Sequence, residues 1–293
     1  MGPRDGLQNE AAPIATEDKI AFVNALAAAG HSTIEVSAFV SPRWVPQMAD
    51  APGVFAGIER RPGVRYTALV PNLAGLARAR EARVDEIAIF AAASETFSQR
   101  NINQTVAESL AAYAGVCRGA LNAGLRVRAY LSTVFGCPFE GAVPVETVAS
   151  IAAQLVGMGA YEVALSDTIG IAHPGQVAPI VDAVTARGVA RSQVAMHFHD
   201  TRGTALVNVY AALQAGVTTF DSSAGGLGGC PYAPGATGNL ATEDLIYMLD
   251  GLGIHTGVSL DGVLGASAAM EPHVGHPLTS RVYRALRNLK VEG

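Results

Sequence analysis

The feature that most constrains this chain is an alternation of two kinds of segment. Apolar runs rich in β-formers lie at Thr33–Phe39, Val64–Val70, Glu86–Ala91, Arg126–Phe135, Glu162–Ser166, Gln193–His199 and Thr218–Ser222. Between and around them, helical character appears near Thr16–Ala29, Val54–Arg60, Leu73–Ala82, Thr105–Ala123, Val145–Met158, Gly175–Arg187, Thr204–Ala215 and Thr242–Leu252. Thr16 ahead of Glu17 and Asp18 is a helix start, and Gly30 is a stop. Strands that are apolar throughout are buried on both faces, which implies a parallel sheet covered by helices. At 293 residues, the α/β arrangement that suits this alternation is a (β/α)8 TIM barrel in a single catalytic domain. Seven strands are one short. The eighth belongs before the first helix, where residues 1–3 are too few, so the first strand is expected to be missing or truncated. The segment 259–289 has helical character and is expected to pack beside the last barrel helix.

Composition removes several function classes. Hydrophobic residues make up 49% of the chain and charged residues 15%, the balance of a well-buried globular protein. A net charge of -5 argues against a nucleic-acid surface. No apolar run reaches the roughly 18 residues of a membrane span, and Met1-Gly-Pro-Arg-Asp5 has no signal-peptide pattern. A cytoplasmic enzyme is therefore the expectation. No Gly-x-Gly-x-x-Gly follows an early strand, which disfavours a dinucleotide fold. The lysines are Lys19 and Lys290, neither at a strand end, which argues against Schiff-base, pyridoxal and carbamylated-lysine chemistry. Cys117, Cys137 and Cys230 lack metal-ligand spacing and read as free thiols. Cys117 sits in an apolar helix, Cys137 follows a strand, and Cys230 lies in a glycine-rich loop.

In a barrel of this kind, catalytic groups sit at the C-terminal ends of strands and in the loops that follow. That rule selects Arg4 and Asp5 before the first helix, Glu35, the Ser166-Asp167-Thr168 run, His197 with His199 and Asp200, and Asp221 with the loop after it. The loop Gly225–Asn239 carries too much glycine and proline for a helix or strand and reads as a lid. His197 and His199 are two apart on a strand, so they share a face. Facing inward at a strand end, they suit a metal ion; a purely structural pair is the competing reading. Asp5 can add a carboxylate and Asn239 a carbonyl oxygen. Such a set suits Mg²⁺ or Mn²⁺ better than structural zinc. Arg4 can stabilise a developing enolate, and a lid thiol can exchange a proton with carbon. Together these point to making or breaking a carbon–carbon bond.

The segment Gly2-Pro-Arg-Asp-Gly-Leu-Gln-Asn-Glu10 resembles the opening motif of 3-hydroxy-3-methylglutaryl-CoA lyases. The segments Glu35–Met48, Ser166–Gly170, His197–Thr201 and Gly225–Asn239 resemble later motifs of that family, and the resemblance runs from Gly2 to about Leu286. It implies a TIM-barrel metallolyase that uses Mg²⁺ or Mn²⁺ and cleaves (S)-3-hydroxy-3-methylglutaryl-CoA to acetyl-CoA and acetoacetate. It implies Asp5, His197, His199 and Asn239 as metal ligands. Arg4, Asp5, Glu35, His197 and Cys230 are implied as catalytic. Arg4, Gln8, Asn101, Tyr130, Asp167 and Thr168 are implied as substrate-binding. An acyl-CoA substrate and a homo-oligomer go with the family, and no nucleic-acid or membrane partner does. Ala38 stands where many relatives carry serine, which leaves a related 3-hydroxy-3-alkylglutaryl-CoA open as substrate. The rival readings are a forward Claisen enzyme joining acetyl-CoA to a 2-oxo acid, and a catalytically silent truncated barrel.

Overall fold

The structure is a computed structural model that describes residues 1–229 and 238–287. Its centre is a seven-stranded sheet in strict chain order. The strands are β1 (Thr33–Ala38), β2 (Arg65–Leu69), β3 (Glu86–Ala92), β4 (Arg126–Ser132), β5 (Glu162–Ser166), β6 (Val194–His197) and β7 (Thr219–Asp221). Each pairs with its neighbour in parallel. The sheet is curled, because interior side chains meet across strands that are not neighbours. Arg128 on β4 reaches Asp221 on β7 at 3.0 Å.

Helices α1 (Thr16–Ala28), α2 (Ala51–Gly57), α3 (Leu73–Glu81), α4 (Glu95–Ile102), α5 (Val106–Asn122), α6 (Val145–Gly157), α7 (Pro174–Ala186) and α8 (Ala205–Gln214) return the chain between strands. Then α9 (Thr242–Gly251), α10 (Leu260–Val274) and α11 (Arg281–Leu286) follow β7. Strand residues facing outward, such as Ile87, Ile89, Val127, Leu131, Val163 and Leu165, are nearly or fully buried beneath these helices. This is why the runs read as continuously apolar.

Two local features differ from the expectation. The β4 run ends at Ser132 rather than Phe135, because Thr133 turns into the left-handed region at φ 61. Helix α4 was not expected. Ser94 caps it by accepting a hydrogen bond from Phe97 N, a signal present in the Ser-Glu pair at its start. The tail forms α10, packed on α1, and α11.

Among the described residues, no strand lies between β7 and β1. The mouth beside that position is occupied by Gly2–Gly6, folded as a single π-helical turn. The Met1 amino group donates to Ser222 O at 3.1 Å, just beyond β7. Gly6 packs so closely that a Cβ there would lie 2.7 Å from Ser223 Oγ. The turn is thus held at the C-terminal ends of β1 and β7.

Candidate active site

The π-helical turn sets Arg4 and Asp5 side by side at the barrel mouth. Arg4 Nε donates to Glu35 Oε2 at 2.6 Å and Nη1 donates to Asp5 Oδ1 at 2.8 Å. The guanidinium also lies 5.6 Å from the centre of the Tyr130 ring. Burial opposes its charge, but Glu35 and Asp5 outweigh burial and hold Arg4 firmly protonated. Burial alone would raise the Asp5 carboxyl. Arg4, the two nearby histidines and the Asn239 amide overcome that and hold it below the ordinary carboxylate range. Asp5 is therefore an anion at any working pH.

Across the mouth, β6 ends at His197 and His199 follows two residues on. The rings are 5.2 Å apart and their Nε2 atoms face each other at 3.2 Å. Burial and the neighbouring imidazole push His199 down to about 3, so it is neutral. Two imidazole nitrogens at this distance need one proton or a cation between them. The other nitrogen of His197, Nδ1, lies 3.3 Å from Asp221 Oδ2. Asp221 stands directly opposite His197 in the β6–β7 register. A carboxylate in this place favours the tautomer with its proton on Nδ1 and the Nε2 lone pair toward the mouth, the arrangement of a carboxylate behind a metal-ligating histidine.

One donor atom each from Asp5, His197 and His199 falls within 4.8 Å of the others. Two imidazole nitrogens and an ionised carboxylate this close together fit a divalent cation. Asn239 is beside them, joined to His199 by a β-bridge. Its Nδ2 donates to Asp5 Oδ2 at 2.8 Å and to Leu227 O at 3.1 Å. Two acceptors on Nδ2 fix the amide's orientation, and Oδ1 is the atom able to ligate.

The mouth opens into a cavity of about 660 Å³ whose lining includes Arg4, Asp5, Gln8, Asn101, Tyr130, Thr168, His197 and His199. The structure thus brings together most of the residues expected from the sequence. Glu35 acts behind Arg4, buried on β1. Asp167 is placed differently. Its oxygens accept from Ile171 N and Ala172 N at 2.9 and 3.1 Å, so it shapes the loop while Ser166 and Thr168 line the cavity. Burial raises Asp167 to about 6. Thr168 Oγ1 accepts from Thr133 N at 2.7 Å. Cys137 is buried in a small cluster with Ala92 and Phe97, where its sulfur accepts from Ser94 Oγ. Cys117 is wholly buried on α5. Cys230 and the rest of 230–237 lie outside the described residues.

The flanks of the expected lid are described. Gly225 and Gly226 have φ of 71 and 68, which only glycine adopts freely. Glu243 on α9 accepts from Gly225 N through both oxygens, each at 2.9 Å, and from Ser267 Oγ at 2.5 Å. Burial raises Glu243 to about 7.

Sequence reasoning missed the support beneath the histidines. Arg128 donates to Glu162 Oε1 at 2.6 Å and to Asp221 Oδ2 at 3.1 Å, and also to the Tyr130 hydroxyl at 3.0 Å. Burial would raise Asp221; Arg128 and His197 hold it low instead. The available signal was a charged residue on each of β4, β5 and β7 at positions that face inward.

The HMGL-like family model matches residues 1–269. Hydroxymethylglutaryl-CoA lyase YngG of Bacillus subtilis is 52% identical over 96% of this chain and 94% of its own length. The 3-hydroxy-3-isohexenylglutaryl-CoA/hydroxy-methylglutaryl-CoA lyase of Pseudomonas aeruginosa is 52% identical over 98% of this chain and 95% of its own. The crystal structure of a hydroxymethylglutaryl-CoA lyase from Pseudomonas aeruginosa superposes with a TM-score of 0.96, at 52% identity, over 98% of this chain and 96% of that one. By the family model and these relatives together, this chain belongs to the HMGL-like family.

Proposed function

We propose that the chain is a divalent-metal-dependent carbon–carbon lyase that cleaves (S)-3-hydroxy-3-methylglutaryl-CoA to acetyl-CoA and acetoacetate. The observation that carries this reading is the convergence of Asp5, His197 and His199 beside the Arg4–Glu35 pair. The relatives named above, half identical over nearly the whole chain, support it.

Asp5, His197, His199 and the Asn239 oxygen would hold the cation, with Mg²⁺ or Mn²⁺ suited to this mixed oxygen and nitrogen set. When bound, such an ion supplies a Lewis acid for the hydroxyl and carboxylate oxygens and lowers the hydroxyl pKa. The hydroxyl proton goes to Asp5 or to His197, and to His197 only where its Nε2 is not held by the ion. Asp5 is the weaker base because Arg4 holds its charge. As the bond between C2 and C3 breaks, negative charge moves to the thioester oxygen. Arg4 is positioned to meet it, with Glu35 fixing the guanidinium and no reorganisation needed. Cys230 is the assigned acid for the carbon of the departing enolate. Gln8, Asn101, Tyr130 and Thr168 hold the acyl and pantetheine portions. Asp167 serves the site by fixing the loop beside Thr168. The chain works as one catalytic unit, 1–293, and as a homo-oligomer in the cytoplasm. No described helix is long and apolar enough to cross a membrane.

The test is product analysis. Incubation of (S)-3-hydroxy-3-methylglutaryl-CoA with the protein and Mg²⁺ should yield acetyl-CoA and acetoacetate in equal amounts, and EDTA should stop it. Condensation of acetyl-CoA with a 2-oxo acid, without cleavage, would replace this reading with the condensing one. Neither reaction, with metal present, would mark a silent barrel.

A further inference from the structure

We infer that Arg281, on the C-terminal helix α11, is a positioning residue for the cation site, and that it acts through Asp200 to hold the His199 and Asn239 segments in register. This rests on the cation reading above. It adds a residue from outside the cavity lining, which contains neither Arg281 nor Asp200.

His199 and Asn239 come from distant stretches of the chain, one just after β6 and the other just before α9. They meet in an isolated antiparallel bridge outside the seven-stranded sheet. Leu240 N donates to Phe198 O at 3.1 Å on one side of the pair, and Asp200 N donates to Gly238 O at 2.7 Å on the other. These bonds set how the imidazole and the amide face the same point. So short a ladder, with a glycine in it, specifies its register weakly and needs support from elsewhere.

Asp200 links the ladder to that support. Its N–H makes one of the two bonds, and its carboxylate is turned to other elements. Oδ1 accepts from Ala205 N at 3.0 Å, at the start of α8, and Oδ2 accepts from Arg281 Nη1 at 2.6 Å. The guanidinium lies over the turn 200–203, which Gly203 N closes on Asp200 O at 2.9 Å. A Cβ on Gly203 would stand 3.5 Å from Arg281 Nη2.

The anchor behind Arg281 is firm. Asp244, buried on α9, accepts from Ser280 Oγ at 2.7 Å, Arg281 N at 3.1 Å and Val282 N at 2.8 Å. Thr279 N and Ser280 N donate to Gly225 O at 3.0 and 3.1 Å. The same few residues therefore grip Gly225 directly and reach Gly238 through Asp200. The Arg281 side chain is 62% exposed and that of Asp200 is 12% exposed. An ion pair with one partner in water shifts an equilibrium by about fivefold at most, and salt screens it. Without it, the bridge spends less time in the ligating arrangement, and apparent metal affinity falls by that fraction.

The experiment measures Mn²⁺ affinity of the EDTA-treated full chain by calorimetry, at low salt and at about 0.5 M NaCl. Arg281→Gln keeps the backbone bonds to Asp244 and should raise Kd about three- to fivefold at low salt. At high salt that gap should shrink below about 1.5-fold. Arg281→Lys should bind within about twofold of the unaltered chain, because a single donor makes the contact. Asp200→Asn combined with Arg281→Gln should bind no more weakly than Asp200→Asn alone, since both remove one interaction. Equal affinity of the unaltered chain and Arg281→Gln at low salt would overturn the inference and leave the cation site standing. So would a gap that persists at high salt, or one that Arg281→Lys does not close, since either would mark a loss of packing rather than of the ion pair. No Mn²⁺ binding by the unaltered chain would overturn the cation reading and this inference together.

Discussion

Two clusters of buried charge sit a few ångströms apart in this barrel and are built on different principles. In the lumen, opposite charges meet. Arg128 lies between Glu162 and Asp221, at 2.6 and 3.0 Å. At the mouth, acceptors meet. The Nε2 atoms of His197 and His199 face each other at 3.2 Å with the Asp5 carboxylate beside them. The first cluster is largely neutralised by the protein itself. The second is a set that a cation would complete. Asp221 belongs to both, since it accepts from Arg128 and faces His197 Nδ1. The difference shows how similar residue types can form a scaffold in one layer and a set suited to a cation in the next. What separates them is where the arginine sits: Arg128 lies between its two carboxylates, whereas Arg4 pairs with Asp5 and Glu35 and leaves the two imidazoles facing each other.

Removing the scaffold cation should have the largest effect. Arg128→Met leaves Glu162 and Asp221 buried without their partner, and we expect a loss of about 3–5 kcal/mol of stability, read by urea unfolding. A loss below about 1 kcal/mol would show that the lumen cluster is not the closed unit described. His199→Ala should do the reverse. It removes one of two facing acceptors, so thermal stability should hold while kcat falls about 10²–10³-fold. Equal damage to stability and turnover would erase the distinction between the clusters.

Glu243 sharpens the comparison because it is a buried carboxylate without a cationic partner among the described residues, and burial raises it to about 7. An acid whose pKa is raised on folding binds protons more tightly in the folded state. Stability should therefore fall as pH rises from about 4.5 to 7, by about 3 kcal/mol from this group. Glu86, raised by burial, and Asp167, raised to about 6, act in the same direction. Glu243→Gln should accordingly flatten the slope without abolishing it, measured by denaturant unfolding at several pH values. An unchanged slope would show that Glu243 does not titrate in this window. The smallest effect expected is that of Asp221→Asn, which keeps the shape but weakens the hold on His197 Nδ1. Metal affinity should fall about 10–100-fold, read by Mn²⁺ titration.

The parts of the structure legible in the sequence are those with a strong local signal. Continuous apolar runs marked the strands, since burial on both faces leaves no polar alternation. His197 and His199 were legible as a pair because spacing by two puts both on one face. The sense of the Arg4–Asp5 pair was legible only as strand-end chemistry and by resemblance. Its π-helical turn was not, because a single turn has no periodicity to detect. Arg128 and Glu162 were missed because an inward charge within a strand looks like any other polar residue until the register pairs it. Asp167 looked like a pocket residue because it ends a strand, but two backbone N–H groups of the following loop claim its oxygens.

The most direct test of the contrast between the two clusters is a Mn²⁺ titration of EDTA-treated protein, with bound metal and acetoacetate formation followed on the same sample. Activity should rise in proportion to one Mn²⁺ bound per chain, and His197→Ala combined with His199→Ala should abolish that binding while the protein stays folded. Full cleavage by the metal-stripped protein, or undiminished binding in the double variant, would contradict the assignment of the mouth as the cation site.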